Sequence, residues 1–173
     1  SEMGGGMGLP PIQSLIDNEI RPGLGVDSES TAPGDMFAQM RAANSIQHAA
    51  LFDLKLSGKA GLPPLLTTRD VIRYATSDGA QAVGLSREIG SLEPGKQADV
   101  LVLRTDLPNV HPVNDPIGAV VWGMDTSNVD WLFVGGEPQV RHGELVSGLD
   151  QALELARSSH RRLVGATTRS EER

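Results

Sequence analysis

Few side chains in this sequence have an obvious chemical capacity, and one that does is an aspartate closing a short apolar run. In Arg21-Pro22-Gly23-Leu24-Gly25-Val26-Asp27-Ser28, Leu24 and Val26 have strand character, while Pro22, Gly23 and Gly25 confine the run to a short strand that neighbours approach closely. A carboxylate at the C-terminal end of such a strand can hold or move a proton. The same Asp-Ser pair also suits a turn or a helix N-cap, and the segment alone leaves both readings open. His48 falls beside the apolar face of a helical stretch, where histidine is normally a surface or satisfied residue. Cysteine is absent, which removes disulfides, thiolate metal ligands and a sulfur nucleophile together.

The elements around Asp27 follow from periodicity and caps. Pro10 and Pro11 lead a helix carrying Ile12, Leu15 and Ile16, closed by Asn18-Glu19. Helix followed by strand is one turn of an α/β winding, and a strand-end carboxylate is where a (β/α)8 barrel collects catalytic groups. After a polar loop, Asp35 opens a long helix to about Leu56, with Met36, Met40, Ala43, Ala50 and Leu54 as its buried face. Thr67-x-x-Asp70 is a capping box ahead of Val71, Ile72 and Ala75, and Asp78 is expected to cap a second short helix ended by Gly84. Arg69 and Arg73 on these helices are expected to be solvated.

Further on, Val100–Leu103, Ala119–Trp122 and Val129–Val134 read as strands. Gly135-Gly136 turns the chain into another, Gln139 to Val146, interrupted at His142-Gly143. Trp122 and Trp131 fall on apolar patterns and are expected in the core. The Pro-rich loop 107–116, with His111-Pro112, reads as a rigid connection without a role. Ser147-x-x-Asp150 opens a last helix with the stripe Leu149, Leu153, Ala156, His160, Leu163 and Val164, and the polar end reads as a tail.

Composition limits the classes. The 173 residues suffice for one ordinary domain and fall short of a complete barrel of about 250 residues. A net charge of -7 without a basic block argues against nucleic acid and anionic membranes as partners. No apolar run approaches the ~20 residues of a membrane span, and no signal-peptide layout opens the chain, so a cytoplasmic location is expected. The glycine cluster of residues 4–8 lacks both GxGxxG spacing and a P-loop Lys-Ser/Thr, and reads as a loop. Ser1-Glu2 runs into that cluster without a start, and further sequence upstream is expected.

The most specific stretch is Ile89-Gly90-Ser91-Leu92-Glu93-Pro94-Gly95-Lys96-Gln97-Ala98-Asp99-Val100-Leu101. It resembles the G-x-[IL]-x-x-G-K-x-A-D-[LIV] signature of the amidohydrolase superfamily, where the chain leaves a metal-bearing barrel for a small β-sandwich. Gly23-Leu24-Gly25-Val26-Asp27 and Asp35-Met36-Phe37-x-x-Met40-Arg41 are similar to the L-G-[TS]-D and D-[ML]-[FL]-x-E-[ML]-[KR] segments of the cytosine-deaminase-like branch, which holds heterocycle aminohydrolases and chlorohydrolases.

The resemblance implies an α/β fold: the C-terminal part of a metal-dependent (β/α)8 barrel over 1–88, a β-sandwich composite domain over 89–148, a C-terminal helix over 149–165 and a flexible tail over 166–173. It makes Asp27 the barrel-end acid, which ligates or abuts a divalent metal, zinc or iron, and takes the proton of the water that the metal activates. Glu2 stands where the branch usually has a substrate-facing Asn, so it becomes a substrate-binding candidate and the substrate class does not transfer. The family's His-x-His pair, its later histidines and its catalytic Glu belong upstream. The implied protein hydrolyses non-peptide C–N bonds, deaminating or dechlorinating a small nitrogen heterocycle. The chain alone is expected to be inactive and to form a homo-oligomer or associate with the missing N-terminal part. A cyclic-amide hydrolase of the same superfamily and a non-catalytic β-sandwich binding module are the alternatives.

Overall fold

Three helices begin on the device that their sequences announce, a short polar side chain accepting a backbone N–H of the first turn. In the computed structural model, which describes residue 3 and residues 5–171, Asp35 accepts from Ala38 N at 2.7 Å and opens α2 (Met36–Leu56). Thr67 and Asp70 form the expected capping box of α3 (Thr68–Ala75). Asp115, followed by Pro116 at the first helical position, opens α5 (Pro116–Trp122).

That third helix replaces the strand expected at Ala119–Trp122. A run of β-branched residues has the same composition on either element, and the Asp-Pro start decides for helix. Its apolar residues then lie on one side: Val121 is fully buried while Trp122 is half exposed on the surface, not in the core.

The core gathers where helices α1 (Ile12–Asp17), α2, α3 and α5 meet: Ile12, Phe37, Met40, Ala43, Leu66, Val71, Tyr74, Val121 and Met124. Complete burial of a valine such as Val71 is worth about 1.5–3 kcal/mol relative to exposure. On α2 the buried face is Phe37, Met40, Ala43, Asn44, Gln47 and Leu51, so two amides join it, while Met36, Ala50 and Leu54, expected on it, are only partly buried. The amides are buried because the loop before α3 needs partners. Gln47 accepts from Leu66 N and donates to Pro64 O, both at 3.1 Å, and Asn44 donates to Leu66 O at 3.1 Å. Arg41 of the same helix donates to Val121 O and Met124 O at the end of α5, at 3.2 and 2.8 Å, satisfying carbonyls the helix leaves open.

Beside the helices lies one antiparallel sheet in the order β1 (Val100–Leu103), β2 (Val129–Val134), β3 (Glu137–Arg141), β4 (Glu144–Leu145). The expected third strand is two strands. His142 and Gly143 have φ of 51° and 81° between the paired residues Arg141 and Glu144, making a second two-residue hairpin like the one at Gly135 and Gly136, with φ of 59° and 86°. Among the described residues the strands form a single sheet. Its β2 side chains are consequently only partly covered: Trp131 is half buried and stacks on Phe133 at 5.5 Å.

The glycine-lysine signature is a corner joining these parts. Asp99 accepts from Gly135 N at 2.7 Å and Ala98 O accepts from Gly136 N at 3.0 Å, fixing the corner to the β2–β3 turn. Lys96 reaches Ser91 Oγ at 2.6 Å and Glu93 at 3.4 Å across the Pro94-Gly95 turn. Leu103 and Val129, at one end of the β1–β2 pair, pack against the helical core.

The last helix, α6 (Leu149–Glu171), runs beyond the expected end at 165 and through most of the expected tail. A lone Gly costs a helix about 1 kcal/mol but does not stop it, and no proline follows Gly165. The expected stripe residues Leu149, Leu153, Leu163 and Val164 are exposed.

Candidate active site

Residues 20–27 fall in no helix or strand and have no ladder partner among the described residues, so the expected strand is an irregular segment. A parallel strand exists through hydrogen bonds to both neighbours, and here, after Ile20 N donates to Leu15 O at 2.9 Å, one backbone bond ties the segment to α3: Leu24 N donates to Tyr74 O at 3.3 Å. Pro22 is buried. A Cβ on Gly23 would lie 3.2 Å from the Cα of Gly79, so the segment touches the start of α4 (Ser77–Ala82) backbone to backbone. On either side of residues 23–25 the surface is hollow. One cleft of about 840 Å³ runs between α3, α4, the 89–92 loop and β1, and a smaller one of about 230 Å³ between α1, α2 and the segment.

The segment ends in a strained turn. Ser28 N donates to Val26 O at 2.9 Å around Asp27, whose φ is 61°. An i to i+2 bond around a left-handed, non-glycine residue is the rarer and costlier form of γ-turn. Aspartate tolerates this region better than most side chains. Asp27 is exposed, and its carboxylate makes no hydrogen bond or ion pair among the described residues. Beyond it the 28–34 loop folds on itself through Ser28 Oγ and Ser30 Oγ at 2.7 Å, and through Ser28 O with Thr31 and Ala32 N–H at 3.1 and 3.2 Å.

Asp78 and Arg73 are not where the sequence suggested. Asp78 forms no helix cap; Thr76 precedes α4 without a side-chain cap bond, and Asp78 is 2% exposed inside the α3–α4 corner. Its carboxylate accepts from Arg73 Nη2 at 3.2 and 3.4 Å and from Arg21 Nη1 at 3.5 Å. Arg73 is therefore an ion-pair partner as well as an exposed residue, its side chain 46% accessible. The Asp was visible as a first-turn acid, but its burial follows from tertiary packing of the α3–α4 corner, where Arg73 pairs with it and Arg21 reaches it from 57 positions away. Burial, reinforced by Asp70 and Asp78, holds the Tyr74 phenol above its ordinary 10.0.

The histidines have other work. His48 Nε2 meets Leu66 O at 2.8 Å, and His142 packs edge-on against Trp131 at 5.0 Å with Asp130 3.4 Å from its Nδ1. No three His, Cys, Asp or Glu residues come together among the described residues. A catalytic zinc site takes about three protein ligands. Asp27 alone does not fit a metal, and ligands from outside the described residues would be required. Glu2 lies outside the described residues.

Comparison with known proteins gives one consistent result. The family model described as "Amidohydrolase family" matches residues 1–138. A 5-methylthioadenosine/S-adenosylhomocysteine deaminase from Acetivibrio thermocellus is 30% identical over 141 residues, 81% of this chain and 31% of the relative. Among solved structures, an adenosine deaminase from Xanthomonas campestris with bound zinc superposes with a TM-score of 0.76 at 23% identity, covering 95% of this chain and 36% of that one. Atrazine chlorohydrolase TrzN from Arthrobacter aurescens TC1, complexed with zinc, gives 0.74 at 23% identity, over 88% and 32%. The chain thus spans about a third of the length of the curated relative it matches.

Proposed function

Because this chain belongs to the amidohydrolase family, we propose that it is the C-terminal part of a metal-dependent hydrolase that deaminates or dechlorinates a small nitrogen heterocycle. Residues 1–88 would close the (β/α)8 barrel and residues 89–148 would supply part of the β-sandwich. The observation that carries this reading is Asp27: an unpaired carboxylate on a left-handed γ-turn, ending a segment with open surface on both sides. Such strain persists where a side chain must be aimed.

In this role Asp27 accepts the proton of the attacking water and passes it to the leaving amine or halide. The divalent metal, zinc or iron, would supply the acidity that brings water's pKa toward neutrality, its other ligands coming from the rest of the protein. Asp27 reaches outward, so its carboxylate is free for a partner that the described residues do not contain. The substrate would be an aminated or halogenated heterocycle, adenosine-like or triazine-like as for the deaminases and chlorohydrolase above.

The test is to express this chain alone and within its complete reading frame, then follow ammonia and chloride release from aminopurine nucleosides, aminotriazines and cyclic amides. Release by the complete protein and none by the chain alone is expected. Hydrolysis of cyclic amides alone would transfer the protein to the neighbouring branch, and no turnover with any of them would sink the catalytic reading.

A further inference from the structure

The α3–α4 corner holds the Asp27 segment at three successive points. Arg21 reaches Asp78, Gly23 lies against Gly79, and Leu24 N donates to Tyr74 O. Asp78 is the unusual member. A buried carboxylate needs a cation, and Arg73, five residues earlier on the adjoining helix, already supplies one at 3.2 Å. The second guanidinium comes from far away in the chain and adds nothing to closing the corner. What it adds is a tether on the segment that ends at Asp27. Its contact is a single Nη1 to Oδ1 approach at 3.5 Å from a side chain that is 60% exposed.

We propose that Arg21, held on the buried carboxylate of Asp78, is a positioning residue for Asp27. Below it the segment has one backbone hydrogen bond, at Leu24, before the chain turns over at Asp27. Three residues span at most roughly 10 Å, so a rotation about Leu24 displaces the Asp27 carboxylate by an ångström or more. Misplacement on that scale costs as much as about 100-fold in rate. Arg21 closes off this rotation by fixing the segment on the far side of Pro22. The inference deepens the reading of Asp27 as proton acceptor and rests on it for its catalytic consequence, but the tether itself can be measured without turnover.

The experiment compares Arg21→Gln, Arg21→Lys and Arg104→Gln in the complete protein, Arg104 being a comparably exposed arginine paired with Asp106 at 2.9 Å. Arg21→Gln is expected to lower kcat about 10- to 100-fold with KM within about twofold. Arg21→Lys, which can make the same single contact, restores kcat to within about threefold, and Arg104→Gln stays at the parent value. Independently, amide exchange at Leu24 and Ser28 is expected to quicken about tenfold in Arg21→Gln alone. Unchanged exchange and unchanged kcat in Arg21→Gln overturn the proposal, as does a Lys variant as impaired as the Gln variant. Faster exchange at Leu24 and Ser28 in a protein without hydrolase activity sustains the tether and overturns the functional reading instead.

Discussion

The backbone N–H of Leu24 donates to the carbonyl oxygen of Tyr74, and the same oxygen sits 2.8 Å from where a Cβ on Gly79 would stand. One acceptor therefore links the Asp27 segment to α3 only while position 79 has no side chain. Gly79→Ala is expected to destabilise by about 1–3 kcal/mol, because the obstacle is backbone and cannot rotate aside. Gly25→Ala, which meets nothing within 4 Å, is the control and should be neutral or stabilising by up to about 1 kcal/mol. Urea denaturation of the two variants side by side gives the answer, and equal stabilities would refute the close-contact argument.

Asp27 combines an unfavourable backbone with an exposed carboxylate. Asn tolerates the left-handed region about as well, so Asp27→Asn should leave stability nearly unchanged while lowering turnover of the complete protein by about 10²- to 10⁴-fold. Asp27→Val should be worse for the fold, by about 1–3 kcal/mol, since a β-branched residue is strained at this φ. Paired thermal melts and initial rates separate these losses. A fully active Asn variant would remove Asp27 from the chemistry.

Tyr74 is the single tyrosine of the chain, so its ionisation can be followed by phenolate absorbance without interference. Its pKa is raised, first by burial and then by Asp70 and Asp78. The folded state thus retains the phenolic proton where the unfolded state, near 10.0, begins to lose it. The associated stability is complete below pH 10 and is lost as pH rises from there through the higher folded value. Absorbance should show late ionisation that returns to the ordinary range in denaturant, and Tyr74→Phe should weaken the alkaline decline in stability. Ordinary titration in the native protein would contradict the burial.

Gln47 binds the loop before α3 from both ends of its amide, donating to Pro64 O and accepting from Leu66 N. Removing it strands a buried N–H and a carbonyl that water does not reach, so Gln47→Ala should cost roughly 2–4 kcal/mol. Calorimetry on the variant tests this; a loss under about 0.5 kcal/mol would mean that water replaces the amide freely.

Where local chemistry decides, the sequence was readable. Asp35, Thr67 and Asp70 announce their helices through side chains that bond within three residues, and Gly135-Gly136 announces a hairpin through φ values few other residues adopt. The Asp99 corner was legible as a motif, and its reason is now physical: the carboxylate binds the turn amide of Gly135. Reading failed where the partner is distant or the composition ambiguous. Ala119–Trp122 has the same apolar run on a helix as on a strand, and only Asp115-Pro116 marks the difference. Asp78 looked like a cap because its burial is set by the packing of α3 against α4, with Arg73 beside it and Arg21 arriving from 57 positions away, and not by the local pattern. His142-Gly143 looked like an interruption because a histidine at positive φ is uncommon, although Asp130 and Trp131 lie close enough to hold it. Asp27 was singled out by type and position, and the Asp-Ser pair left a turn open, but the left-handed γ-turn itself is one of several turns that pair would suit.

The two tight turns of the sheet also bear on the order in which the molecule assembles. From β2 to β4 each strand meets its successor across two residues, so these pairings close the smallest loops in the sheet. β1 joins β2 only after the chain between Leu103 and Val129 has returned through α5. Loop closure costs more entropy with length, and local hairpins form in about 1–10 μs. The β2–β4 meander is therefore expected to gain amide protection first in pulse-labelled refolding. β1 and the Asp99 corner should follow, arriving with the helices they bridge.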